Sequence, residues 1–175
     1  AENATLAVGS ISTGTCKAED IAEALIWHMD ELDLDTNDLN TFKRLKKEFA
    51  AAVEDPKYNC ADCDCYIEHL FDEITELAGN YTPDYCYLGM HAGDGADFGV
   101  WVISELFEDT TQGGFDGSVY RSTTETNGVD EHVPAEYTHY LAVNDHGNCT
   151  LWRRQMEDLS GLRSMTQWIE VWTIV

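Results

Sequence analysis

The sequence predicts an α+β fold: an N-terminal group of three amphipathic helices packed on a mainly antiparallel sheet of four to six strands, as a single domain over 1–175. The helical part is expected over about 15–80 and the sheet part over about 84–175. Three observations predict this. Apolar residues recur at helical spacing as far as Ala78. After Pro83 the period shortens and glycine and turn residues multiply. The 43% hydrophobic residues, including five Trp, eight Tyr and six Phe, suffice for a packed core and exclude a disordered acidic tail.

Residues 1–14 mix Gly, Ser, Thr and short aliphatics and read as a leading strand or an ordered arm. A helix follows from about Lys17 to Leu32, with Ile21, Leu25, His28, Met29 and Leu32 on one stripe and Glu19, Glu23, Asp30 and Glu31 off it. His28 reads as a partly buried histidine with a satisfied ring rather than a catalytic one. The turn Asp33-Leu34-Asp35-Thr36-Asn37-Asp38 has last residues suited to capping a second helix. That helix presents Leu39, Phe42, Leu45, Phe49, Ala52 and Val53 and stops at Asp55-Pro56. Its Lys43, Arg44, Lys46 and Lys47 place four of the ten basic residues in one window, where they are expected to pair with neighbouring carboxylates. A third helix, from about Asp64 to Ala78, buries Ile67, Leu70, Phe71, Ile74 and Leu77, with Gly79 suited to the position just past its end. Its outer face carries Glu68, Asp72, Glu73 and Glu76 with no Lys or Arg between them.

Beyond Pro83, Tyr85 to Met90 and Phe98 to Ile103 read as strands joined by a glycine-dense connection. Residues 104–136 are polar and turn-rich, with Ser118-Val119-Tyr120 as a short strand. Tyr137 to Val143 and Cys149 to Arg153 flank Asn144-Asp145-His146-Gly147-Asn148, a strong hairpin signal. Gln167 to Val175 closes the chain as a strand.

Charge narrows the function. With 33 acidic against 10 basic residues the formal charge is −23, so direct binding to a nucleic-acid backbone or an anionic membrane is opposed at every distance. The acidity sits in the first three quarters of the chain: net −12 over 1–80, −10 over 81–136 and −1 over 137–175. No apolar run approaches the roughly 18 residues that a membrane helix needs. Ala1-Glu2-Asn3-Ala4 has neither a basic nor a long apolar region, so no retained signal peptide is expected. Six Cys and three Asn-X-Thr sequons are compatible with secretion and disulfides; the reading preferred is a reduced, cytoplasmic setting in a host cell.

Three constellations are candidates for chemistry. Cys60, Cys63, Cys65 and His69 have donor types suited to zinc, but no second knuckle follows, and disulfides or free thiols compete with that reading. His91, Asp94 and Asp97 lie in a glycine-dense segment where the carboxylates serve either a cation or acid–base chemistry, or simply bond the local backbone. Asp145 and His146 join them only if the sheet brings the two loops together. No serine elbow, phosphate-binding loop, zincin helix or dinucleotide fingerprint is present, so neither an enzyme nor a cofactor is expected.

The blocks Tyr87-Leu88-Gly89-Met90-His91-Ala92-Gly93-Asp94-Gly95-Ala96-Asp97-Phe98-Gly99-Val100-Trp101 and Val143-Asn144-Asp145-His146-Gly147-Asn148 resemble a set of small acidic, largely uncharacterised proteins encoded by phages, plasmids and their hosts. The layout is similar over roughly residues 18–154, though only these two blocks are specific. The resemblance implies a mobile-element setting and carries over no catalytic residue. This chain departs from the set in Val100, where an aromatic is common, and in its cysteine-rich Cys60 to Cys65 segment.

The function expected is therefore a DNA mimic of anti-restriction or anti-CRISPR type that blocks the cleft of a basic nucleic-acid-binding protein or nuclease complex. Glu68, Asp72, Glu73 and Glu76, with Glu105, Glu108, Asp109 and Asp116, would form its partner-binding surface. The alternatives are solubility or salt adaptation alone, a metal-binding or hydrolytic site on the two Asp/His segments, and an assembly protein that forms a homodimer through its C-terminal strand.

Overall fold

The computed structural model describes residues 5–55, 57–58, 64–108, 116–122, 128–129, 132–157 and 165–175, with backbone only at 64–65, 156–157 and 165–166. The chain forms two compact units, Ala1–Trp101 and Val102–Val175.

The first unit holds β1 (Gly9–Thr13), α1 (Ala18–Asp30), α2 (Thr36–Glu54), α3 (Asp64–Gly79), β2 (Cys86–His91) and β3 (Asp94–Val102, whose last residue passes the boundary). The first turn of α1 carries Glu19 and Asp20, which complement the helix dipole. Lys17 at its N-cap supplies no side-chain bond; Thr15 Oγ1 instead accepts from Lys17 N and donates to Asp20 Oδ2. The cap of α2 is Asp35, in the middle of the predicted turn rather than at its end: Oδ1 accepts from Asn37 N at 2.8 Å and Asp38 N at 2.9 Å. Gly79 is the last residue of α3 and does not have the positive φ expected just past a helix end. The helix runs out instead through Asn80 N to Leu77 O, Tyr81 N to Ala78 O and Thr82 N to Gly79 O.

α3 is the hub, packed on both α1 and α2 and against β2. Ile21, Leu25 and Met29 of α1, Leu45 of α2, and Leu70 and Ile74 of α3 are fully buried together with Val100 of β3. Leu39, assigned by spacing to the apolar face of α2, is 36% exposed, because it lies in the first turn, beyond the reach of that core.

The sheet of this unit has the order β1-β3-β2. β1 and β3 are antiparallel, with Gly9 opposite Val100 and Ser10 opposite Gly99. The second unit holds α4 (Glu105–Glu108), β4 (Val119–Arg121), β5 (His139–Val143), β6 (Cys149–Glu157) and β7 (Met165–Ile174). Its sheet has the order β4-β5-β6-β7, antiparallel except for the parallel β4/β5 pair. Tyr140, Leu141 and Leu151 are fully buried in it. The predicted 144–148 hairpin forms: Asn144 Oδ1 accepts from His146 N and Asn148 N, and Gly147 takes φ 83°.

The α+β class is as expected, but the single sheet of four to six strands is replaced by two sheets, of three and four strands. β1 is the reason. By pairing with β3 it draws the 86–102 hairpin into the helical unit, where Phe98 and Val100 become core residues, and leaves the later strands to build their own sheet.

Candidate functional site

The acidic face of α3 is built as predicted in three of its four residues. Glu68, Asp72 and Glu76 are exposed, whereas Glu73 is half-buried and held by two partners. Arg44 of α2 reaches its Oε2 at 3.0 Å and His69 Nε2, one turn back, lies 3.0 Å from Oε1. The ridge expected to lack any cation thus contains one, since α2 and α3 pack side by side and bring Arg44 across. Arg44 also bonds Glu48 at 3.0 Å, and the hydrogen bonds to Glu73 and then Glu48 hold its guanidinium above its ordinary pKa. Lys46 pairs with Asp30 of α1. Among the described residues Arg44 and Lys46, of the four clustered cations of α2, meet carboxylates.

In the second unit Glu105 and Glu108 are exposed on α4. Asp116 is exposed and engaged in its own turn, accepting from Ser118 N at 2.9 Å and Ser118 Oγ at 2.8 Å. Asp109 lies outside the described residues.

His91, Asp94 and Asp97 are not gathered into a group that could hold a metal ion. The glycine-dense connection expected at 89–99 is mostly strand, with only Ala92-Gly93 between β2 and β3. Side chains alternate along a strand, so two residues three apart face opposite sides of the sheet and cannot grip one cation together. Each is instead occupied locally. His91 Nδ1 accepts from Gly93 N at 3.1 Å and its ring meets Trp101 edge-on at 4.6 Å. Asp94 Oδ1 accepts from Ala96 N, and Asp97 Oδ2 accepts from Ser10 Oγ of β1 at 3.0 Å. Asp97 Oδ1 is closed off from solvent with no hydrogen-bond partner among the described residues. Asp145 and His146 sit at the exposed tip of the β5–β6 hairpin in the other unit, 3.6 Å apart. Among the described residues no group of three His, Cys, Asp or Glu side chains could hold a metal ion. Cys60 and Cys63 lie outside the described residues, as does the side chain of Cys65, while His69 is engaged with Glu73. Cys16, Cys86 and Cys149 are free thiols. Among the described residues no helix is long and apolar enough to cross a membrane.

Sequence reasoning missed Tyr81, which carried no signal beyond its place in a sequon. Its hydroxyl donates to Asp38 Oδ2 at 2.8 Å and accepts from Asp35 N at 3.3 Å, while its carbonyl accepts from Leu6 N at 2.7 Å. It thereby ties the N-terminal arm and the start of α2 to the end of α3. Burial pushes its phenol pKa up, and the bond to Asp38 adds to that. Burial likewise raises the Cys86 thiol to about 12, with the charge of Asp84 adding to it. Both groups are neutral in the fold and ionise more readily unfolded. Their stabilisation is complete below the unfolded values of about 8.5 for Cys and 10 for Tyr, and is lost as pH climbs through the folded ones. Thermal unfolding followed by circular dichroism is expected to show a falling Tm from about pH 9 upward. In alkylation at pH 8, exposed Cys16 should react well before Cys86; a Tm flat across that alkaline range would contradict this account.

No protein-family model, curated protein or solved structure matches the chain.

Proposed function

We propose that this protein is an acidic DNA mimic that blocks the nucleic-acid cleft of a host defence or DNA-handling enzyme, of the anti-restriction or anti-CRISPR type. One observation carries the reading: a net charge of −23 is mounted on two packed units, and the first, with 21 acidic against 6 basic residues, carries −15 of it. Duplex DNA presents one charge per about 1.7 Å, so the excess of 23 corresponds to roughly 12 base pairs of phosphate. Within the first unit the exposed Glu68, Asp72 and Glu76 stand on a helix fixed by Leu70 and Ile74 in the core, which gives them constant spacing. A rigid array raises the association rate with a basic cleft and binds less as salt screens it. The phage and plasmid resemblance of the 87–101 and 143–148 blocks supports a role against host defence.

The test is retention of host-lysate proteins on the immobilised protein at low salt, with elution by a salt step or by duplex DNA. DNA-handling enzymes are expected in both eluates. If proteins retained through charge include none that DNA displaces, mimicry is wrong and the acidity serves solubility. A second reading, self-assembly through the C-terminal strand, has one supporting observation: among the described residues β7 is the last strand of its sheet, and Glu170 is the one charged side chain along it. Light scattering at high protein concentration would show a dimer if that reading holds and a monomer if it does not.

A further inference from the structure

α1 and α2 both lie on α3, and between them they leave a groove of about 300 Å³. Ile26 of α1 and Phe49 and Val53 of α2 form its apolar lining, with Ile26 and Phe49 retaining 8% and 6% exposure as a floor. The lining also carries Glu19 and Glu23 on one side and Glu54 on the other. Among the described residues the only cation lining it is Lys46, whose ammonium is already paired with Asp30. The groove is thus apolar below and uncompensated negative above.

Trp27 is outside this lining but adjoins Ile26 in the chain. It follows Glu23 by one turn on α1 and is 63% exposed, its ring held edge-on against His28 at 4.9 Å. A tryptophan left in water forgoes a large apolar burial, and such residues concentrate at the centres of protein interfaces, where their faces also attract Lys and Arg. Solubility alone accounts for acidic residues; it does not account for an exposed indole beside an apolar groove.

We propose that the α1–α2 groove is a docking site for a basic amphipathic segment of a partner protein. Apolar side chains of that segment would lie on Ile26, Phe49 and Val53, and its Lys or Arg residues would meet Glu19, Glu23 and Glu54. Trp27 would close over one end. Charge complementarity selects this occupant. A second copy of the chain would bring −23 against −23, and anionic lipid or nucleic acid would meet the same carboxylates. The proposal rests on the reading that the protein's target is basic, and adds that the contact is anchored by apolar burial rather than by charge alone.

The probes are two fluorescently labelled synthetic peptides of about five helical turns and equal positive charge, one with a Leu stripe among Lys, the other with Ser in place of Leu. Binding is read by fluorescence anisotropy at moderate salt. The Leu/Lys peptide is expected to bind wild type roughly tenfold or more tightly than the Ser/Lys peptide. Ala50→Glu is the decisive variant. Ala50 is exposed within the lining, so Glu there obstructs the groove while making the surface more acidic. It should weaken the Leu/Lys peptide roughly tenfold, as should Trp27→Ala, whereas Glu136→Gln, at an exposed position of the second unit, should change it by less than about twofold. Equal binding of the two peptides overturns the proposal, and so does undiminished binding to both Ala50→Glu and Trp27→Ala. Circular dichroism checks that each variant folds, and Trp27→Ala alters a surface residue, so at least one variant remains readable. Peptide binding as described, with no DNA-displaced protein retained from lysate, would retain the groove and discard mimicry. The reverse pair of results would discard the groove alone.

Discussion

Replacing Gly99 with alanine is expected to cost about 3 kcal/mol, near the upper end for overpacking, because the new methyl would meet backbone rather than a side chain that could swing aside. A Cβ built there lies 2.2 Å from Gly9 O, 2.9 Å from Ser10 Cα and 3.0 Å from Gly9 C. β1 and β3 cross this closely only because Gly99 has no side chain and Gly9 takes φ +130°, a conformation that other residues rarely adopt. Relief requires β1 to move away, which would break the pairing of Gly9–Thr13 with β3 and free the hydroxyl that Ser10 donates to Asp97. Two measurements check this: thermal unfolding, and amide exchange at residues 10–13, which should become unprotected. Gly95→Ala is the control. A Cβ there meets nothing within 4 Å, so its stability should stay within about 0.5 kcal/mol of wild type. Equal Tm values for the two variants would show that the strand crossing is looser than described.

Leu70→Ala is the second large effect, expected at about 3 kcal/mol within the 2–5 kcal/mol range for buried leucines. Leu70 is 1% exposed on the helix that touches both other helices, so no neighbour can collapse into the space without disturbing a second interface. Leu39→Ala makes the comparison, since Leu39 belongs to an equally clear apolar stripe yet is 36% exposed. Its cost should be under about 1 kcal/mol. Denaturant midpoints at unchanged slope would measure both. Similar losses at the two positions would mean that the stripe, not the burial, sets stability, and would count against the packing of α3 described above.

That pair also shows how far periodicity reaches. Spacing located all three long helices to within a few residues, because each must turn one apolar face inward and the pattern of that face is written locally. It could not separate Leu39 from Leu45, since a stripe says which side faces the core but not where along the helix the core ends. The Asn144 hairpin was legible for a similar reason: its side chain bonds backbone groups only two and four residues away.

The candidate site divides along the same line. Glu68, Asp72 and Glu76 were readable as an exposed face of one helix. The capture of Glu73 by Arg44, 29 residues away, was not. The Asp94/Asp97 pair was open to two readings, a ligand set or local bonding to the backbone; Asp94 does bond Ala96 N, and as a strand the segment sends the two carboxylates to opposite faces. Tyr81 and the α1–α2 groove left no local trace, since both exist only where separate elements meet.

The sequence alone thus determined the helices, the hairpin and the large negative charge, each set by residues within a few turns of one another or by simple counting. The tertiary structure decided that there are two sheets rather than one, which carboxylates are neutralised, and where an exposed tryptophan stands beside an apolar groove. Those outcomes depend on pairings such as Gly9 with Val100, contacts whose closeness in space has no counterpart in the spacing of the chain.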